Sequence, residues 1–396
     1  MKQVAVISAK RTPIGKINGQ LSQLTSVELG TIVTKAVLAD SGLAANQIDQ
    51  VIFGNVIQAG GGQNVARQIE LNSGIPASST ACTINQVCGS GMKAVRMGQT
   101  AIQTGDCDVV IVGGTESMSN APYLNRQVRG GHQFGGFTLE DSIESDGLND
   151  ADSHQPMGTT AETVAERFHV SRSEQDQFAL RSHQQAAQAT ADQTFAAEIV
   201  PVTIHHKKED VTITTDETIR TDTSLDKLGK LRPAFANKGT VTAGNAASLN
   251  DGASALLLMS AERADGLDLT PLAILDDYAE AGCDPQIMGY APFYAVHKLL
   301  DKTDADINDF DLVELNEAFA SQSVAVARDL KIDPDKLNVS GGAIALGHPL
   351  GDSGARILTT LIHNLQRTNQ QRGLATLCIG GGMAMAFSLH LPTVQS

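Results

Sequence analysis

Residues 48–58 read IDQVIFGNVIQ, and residues 307–319 read INDFDLVELNEAF. Each is an acidic turn followed by an apolar strand that ends in asparagine, Asn55 in one and Asn316 in the other. The likeness continues downstream. About thirty residues later each stretch reaches a small-residue turn that opens a helix, the first carrying Cys88 and the second His348. Beyond each helix comes an apolar strand ending in glycines, DVVIVGGTES (108–117) and LATLCIGGGMAMA (374–386). Duplication is the simplest source of such an order. Strands alternating with helices predict an α/β fold, with a mostly parallel sheet covered by helices in each half. Two such halves packed together would bring the equivalent turns to a shared axis, so Cys88 and His348 are expected to meet.

Between the halves the pattern changes. A glycine-rich polar loop, RQVRGGHQFGGF (126–137), precedes an amphipathic helix, TAETVAERF (160–168), and a Gln/Ala-rich one, SEQDQFALRSHQQAAQATADQ (173–193). A β-prone run, IVPVTIHHKKEDVTITTDE (199–217), follows. The reading is an N-terminal half over 1–118, an insertion over 119–249 that holds substrate from above, the end of the first half over 250–270, and a C-terminal half over 271–396.

The chemistry gathers on three side chains set among glycines. Cys88 lies in INQVCGSGMKA, His348 in NVSGGAIALGHPLGDSGAR, and Cys378 in LATLCIGGGMAMA. Glycine lets backbone approach a ligand closely. A buried cysteine is most often a small core residue, and a Gly-His-Pro histidine can simply shape a turn. Cys82, Cys107 and Cys283 lack the glycine context and read as structural. Cys88 sits just before a helix start, where the helix dipole is expected to favour its thiolate. One nucleophile and two proton movers suggest acyl transfer or carbon–carbon chemistry on a thioester.

Composition narrows the partners. The 396 residues carry a net charge of −15, which disfavours nucleic acid and anionic membrane. An anionic ligand then needs a local positive site. Lys227, Lys230, Arg232 and Lys238, with Arg220 upstream, supply one or form a solvated charged face. Five cysteines without a CxxC argue against a disulfide framework or a structural zinc site. No apolar run approaches a membrane span. The opening MKQVAVISAKRTPIG reads as strand rather than leader, and the closing HLPTVQS carries no address tag. A reducing cytoplasm is the expected location.

These blocks resemble the thiolases, and within them the acetyl-CoA acetyltransferases, over essentially the full chain. INQVCGSGMKA is similar to the acyl-enzyme motif, NVSGGAIALGHPLGDSG to the histidine motif and GLATLCIGGGMAMA to the C-terminal cysteine motif. NEAFA (316–320) and TAGNAASLNDGA (242–253) resemble two further blocks. The resemblance implies a five-layered αβαβα core from two related halves, with a loop domain inserted in the first. It implies acetyl-CoA and acetoacetyl-CoA as substrates, no separate cofactor and no metal. It assigns Cys88 as acylated nucleophile, His348 as its base, Cys378 as acid and base for the second acetyl group, and Asn316 as holder of a water in an oxyanion hole. Backbone N–H groups at Cys88 and in the 380–382 run are candidates for the other hole. Met157, Met288 and Phe319 would line the acyl and pantetheine pocket. Arg220 would lie near the nucleotide end of coenzyme A, and Phe235, Ala243, Ser248 and Gly380 would complete the binding surface. Association as a homotetramer, a dimer of dimers, is implied through the loop near 119–140. Pro156 stands where the family often has His, and Ala247 precedes Ser248 where the family usually has Ser directly after Gly-Asn-Ala.

A degradative 3-ketoacyl-CoA thiolase would carry the same reactive residues with a longer acyl pocket. A ketoacyl synthase would place a histidine or asparagine at Cys378, and a lipid carrier would not need all three reactive side chains. The strand VVIVGG lacks the GxGxxG of a dinucleotide site.

Overall fold

A computed structural model describes residues 2–205 and 207–392. Residues 393–396, part of the closing segment read above for an address tag, lie outside them. The strands are β1 (Val4–Arg11), β2 (Gly15–Lys16), β3 (Gln50–Gly54), β4 (Thr80–Ile84), β5 (Val109–Ser117), β6 (Tyr123–Leu124), β7 (Glu140–Asp141), β8 (Val202–Ile204), β9 (Val211–Ile213), β10 (Asn250–Ser260), β11 (Ala273–Gly282), β12 (Leu312–Leu315), β13 (Arg372–Ile379) and β14 (Met383–His390). The helices are α1 (Ser26–Ser41), α2 (Val65–Asn72), α3 (Ser90–Thr104), α4 (Met157–Arg167), α5 (Arg172–Ala191), α6 (Leu225–Gly229), α7 (Ala261–Gly266), α8 (Ala291–Thr303), α9 (Ala320–Asp329), α10 (Ala343–Leu346) and α11 (Ser353–Thr368).

The main ladder runs β4-β3-β5-β10-β1-β11-β14-β13-β12, with β2 on β10. It divides at β1 and β11, which pair antiparallel as Val4↔Leu275, Ala5↔Ile274 and Val6↔Ala273. On either side the order is the same, with a lone parallel bridge Val313↔Leu337 standing where β4 stands in the first half. A pseudo-twofold axis therefore passes between β1 and β11. The register fixes the equivalences. Gly54 pairs Gly114 just before Asn55, and Leu315 pairs Thr376 just before Asn316. Two residues further along, Glu116 of the first half corresponds to Cys378 of the second.

Strand residues alternate between two cores. On β10, Leu256 and Leu258 face the central core, while Leu257 and Met259 face an outer core with α1 and α2. On β14, Met385 and Phe387 face the central core, while Ala384 and Ala386 face the outer core with α8 and α9. Helices α3 and α11 fill the space between the half-sheets. Three cores separate five layers, αβαβα. Burial on both faces is why these strands read as unbroken apolar runs.

The expected mostly parallel sheet is not found. Only β3–β4, β3–β5 and β12–β13 are parallel, and the other pairings are antiparallel. The reason is local. LATLCIGGGMAMA is a hairpin of β13 and β14 rather than one strand, turning at Gly381 and Gly382 with φ of 84° and 81°. In the first half the corresponding strands are β5 and β10, and residues 118–249 lie between them. That stretch is tied to β1 by Arg11, which is fully buried against Glu198 at 2.5 Å and Asp216 at 2.7 Å. The β-prone run yields only the short pair β8–β9.

Candidate active site

Cys88 lies between β4 and α3, His348 between α10 and α11, and Cys378 near the end of β13. All three line one pocket of about 520 Å³, counted to its open mouth. Met157, Met288, Phe319, Ser248 and Gly380 line it too. Residues from both halves and from the 118–249 stretch thus converge, as the repeat predicts for Cys88 and His348.

Two contacts hold the turn before Cys88. Asn85 Oδ1 accepts from the Val87 N–H at 3.0 Å, and Ser90 Oγ donates to the Val87 carbonyl at 2.6 Å. Val87 is left in the left-handed region at φ 47°, a strained place for a β-branched residue. The thiol departs from the thiolate expectation. Burial pushes it up to about 11, outweighing the pull of the Gly380 and Cys88 backbone N–H groups. Cys88 is therefore a thiol at rest and needs a base.

His348 is set to be one. Its backbone N–H donates to Asn250 Oδ1 at 2.9 Å, and Ser248 Oγ donates to the same oxygen at 2.9 Å. Its Nδ1 meets Ser353 Oγ at 2.5 Å, and that hydroxyl donates to the Pro349 carbonyl at 2.8 Å. A hydroxyl has one proton, so Nδ1–H is the donor to Ser353. Nε2 then carries the lone pair, and it is buried with no protein partner. Burial, then the nearby Arg356, pushes the imidazole down to about 4. It is neutral and able to take a proton.

Cys378 is fully buried, and burial holds its thiol well above the ordinary value. Its Sγ–H donates to Gln322 Oε1 at 3.0 Å. Met288 and Ala318 pack against it, with Met157 and Phe319 alongside. Asn316 is buried beneath the pocket rather than lining it, and both atoms of its side-chain amide lack a protein partner.

The remaining sequence-predicted residues scatter more. Phe235 covers Gly158, where a Cβ would come within 2.3 Å of its ring, and meets Phe319 edge to face. Ala243 is exposed on a turn closed by Thr242 and Asn245. Arg220 lines a separate cleft with His183 and Gln188. Lys227 and Lys230 pair with Asp222 and Asp226 at 2.5 and 2.6 Å, so two cations of the basic stretch are already matched. Pro156 stands as the N-cap residue of α4, and Ala247 lines the pocket.

The sequence reading passed over Ser353, Gln322 and the carboxyls beneath the site. Ser353 lies within the histidine motif, five residues after His348, and a serine at the first turn of the helix is its only signal. Glu116 accepts from Asn55 Nδ2 and from the N–H groups of Val56, Ile57 and Gly351 at 2.8 to 3.1 Å. Burial still raises it to about 7, and raises Asp352 to about 7. Among the described residues no group of three or more His, Cys, Asp or Glu is arranged to hold a metal ion.

Family models for the thiolase N-terminal and C-terminal domains match residues 4–262 and 269–390. The chain belongs to the thiolase family. It is 49% identical over 391 residues to the acetyl-CoA acetyltransferase of Chromobacterium violaceum, covering 98% of this chain and 100% of that one. A probable acetyl-CoA acyltransferase of Staphylococcus epidermidis is 48% identical, with 98% of each chain covered. The crystal structure of the Bacillus anthracis acetyl-CoA acetyltransferase superposes with a TM-score of 0.96 at 42% identity, covering 98% of this chain and 99% of that one. Human mitochondrial 3-ketoacyl-CoA thiolase gives the same TM-score and identity over 99% of both chains. This thiolase is an acyltransferase.

Proposed function

We propose that the enzyme is an acetyl-CoA C-acetyltransferase, joining two acetyl-CoA molecules reversibly into acetoacetyl-CoA and coenzyme A. The observation that carries the reading is the meeting of two thiols and an unpartnered imidazole nitrogen in one narrow, apolar pocket. In the first half-reaction His348 Nε2 takes the Cys88 proton, and the sulfur attacks the acetyl carbonyl. The carbon–sulfur bond to coenzyme A breaks, and the leaving sulfur takes the Cys378 proton. The acetyl group now rests on Cys88, which splits one hard transfer into two easier ones. In the second half-reaction the Cys378 thiolate removes an α-proton from a second acetyl-CoA. The resulting carbanion attacks acetyl-Cys88, acetoacetyl-CoA forms, and Cys88 recovers its proton from His348. Every proton is returned by the end of the cycle.

Both steps place negative charge on a thioester oxygen, and preorganised donors aimed there are the main electrostatic aid. The Cys88 and Gly380 backbone N–H groups, already directed at the Cys88 sulfur, suit one oxygen. Protonated His348 Nε2, with a water on the unpartnered Asn316 amide, suits the other. The exposed cleft at Arg220 is the proposed contact for the nucleotide end, with Phe235, Ala243 and Ser248 along the way. Met157, Met288 and Phe319 close the acyl end and support a short-chain substrate. The equal likeness to a 3-ketoacyl-CoA thiolase supports a second reading, a degradative enzyme of broader chain length. Thiolysis rates decide between them. A methylene that fits gains about 1–3 kcal/mol, whereas one forced into a filled pocket costs about as much, so the sign of the change separates the two readings. Rates falling steeply beyond acetoacetyl-CoA support the first reading, and equal rates on 3-ketohexanoyl- and 3-ketooctanoyl-CoA support the second. Five free thiols suit a reducing cytoplasm, and no described helix is long and apolar enough to cross a membrane.

A further inference from the structure

Gln322 lies on α9 outside every motif that suggested the chemistry, and it is fully buried. Its Nε2 donates to Ser323 Oγ at 2.6 Å and to the Asn316 carbonyl at 3.3 Å. Those partners fix which way the amide faces, since the carbonyl can only accept. Oε1 is left towards Cys378 Sγ at 3.0 Å. An amide oxygen accepts from a thiol and repels a thiolate. The pseudo-twofold axis sharpens the contrast. At the equivalent place in the first half, Glu116 faces four N–H donors, surroundings that suit an anion.

We propose that Gln322 is a positioning residue that holds the Cys378 proton, keeping this sulfur a thiol at rest and a strong base once that proton has gone. This rests on the proton-transfer role given to Cys378 above. When coenzyme A leaves, its sulfur takes the Cys378 proton, and the Cys378 thiolate then faces the Oε1 lone pairs. That repulsion raises the sulfur's pull on the α-proton of the second acetyl-CoA. Transfer of the α-proton restores the Sγ–H to Oε1 contact.

The test uses Gln322→Met and Gln322→Glu beside Cys378→Ala. In Gln322→Met, acetylation of Cys88, read by peptide mass, should not fall, because a less tightly held Cys378 proton still passes to the leaving coenzyme A sulfur. Condensation should fall by about 10- to 100-fold, part of the roughly 10²–10⁴ that a placed proton-transfer group contributes. Alkylation of Cys378, followed in a Cys88→Ala background, should reach its midpoint at lower pH than with Gln322. Gln322→Glu should condense well at low pH, where its protonated carboxyl keeps the acceptor towards Cys378 and one donor towards Ser323, and lose activity as the carboxyl ionises with rising pH. Unchanged condensation in Gln322→Met, or an equal fall in both half-reactions, overturns the proposal. If Cys378→Ala condenses normally, the parent role of Cys378 is what fails. If Cys378→Ala is inactive while Gln322→Met is normal, only the role of Gln322 fails.

Discussion

At the scale of single residues, the site works by burial more than by charge. Cys88 and Cys378 are both held as thiols, while the His348 imidazole is held neutral. Cys88 acetylation should therefore keep its rate as pH falls through 6.5, where an ordinary histidine protonates, and drop only towards about 4. A fall centred near 6.5 in stopped acylation assays would remove the buried neutral base. Exchanging the reactive groups should separate the steps. Cys378→Ala should still acetylate Cys88 on incubation with acetyl-CoA, yet lose condensation by several orders of magnitude. His348→Ala should slow the acetylation itself. That Cys88, His348 and Cys378 line one pocket was legible because glycine crowds each one. Their protonation was not, because the helix-dipole argument says nothing of how much water a fold removes. Gln322 and Ser353 were hidden for another reason. A polar residue on a helix gives no sign in sequence of whether it faces water or a sulfur.

Among the elements, the crossing of α3 and α11 sets the distance between Cys88 and His348. Their backbones touch through glycines. A Cβ on Gly91 would lie 2.8 Å from the Ala355 nitrogen, and one on Gly354 would lie 2.4 Å from the Met92 nitrogen. Gly354→Ala should cost about 1–3 kcal/mol by overpacking and push the helices apart. Melting temperature and Cys88 acetylation should fall together. Gly266→Ala, where a Cβ meets nothing within 4 Å, should leave both unchanged. The repeat itself was readable from Asn55 and Asn316, whereas the five layers were implied only by the family resemblance; runs such as VVIVGG and LATLCIGG, buried on both faces, agree with them. Strand direction was not readable. A strand covered on both faces has the same apolar run whether its neighbour is parallel or antiparallel.

For the whole molecule, buried carboxyls should shape the response to pH. Glu116 and Asp352 are raised to about 7 from ordinary values of 4.5 and 3.8. The folded protein thus holds protons that the unfolded chain has released, and the stability they give is lost as pH rises through about 7. His183 and His348 act in the opposite sense, but their contribution is complete above 6.5. Between about pH 4 and 6.5 the two trends oppose each other, so thermal midpoints should decline only through about pH 6.5–7.5 and level off beyond, and Asp352→Asn should flatten that decline. A second global test concerns assembly. Tyr123, Phe134, Phe137 and Leu139 are 63%, 96%, 54% and 53% exposed on one loop. If this loop joins dimers into the proposed homotetramer, deleting 126–137 should leave dimers in light scattering with Cys88 acetylation intact. The placing of β10 between β1 and β5 bears on synthesis as well. β1 leaves the ribosome before either of its sheet neighbours, one spanning 250–260 and the other 273–282. Throughout the translation of the intervening chain, VAVIS has no hydrogen-bonding partner in the sheet, while β3, β4 and β5 can already pair with one another. β1 is thus enclosed long after it is made, and a nascent chain stalled before residue 250 carries an unpaired apolar strand open to aggregation or chaperone capture.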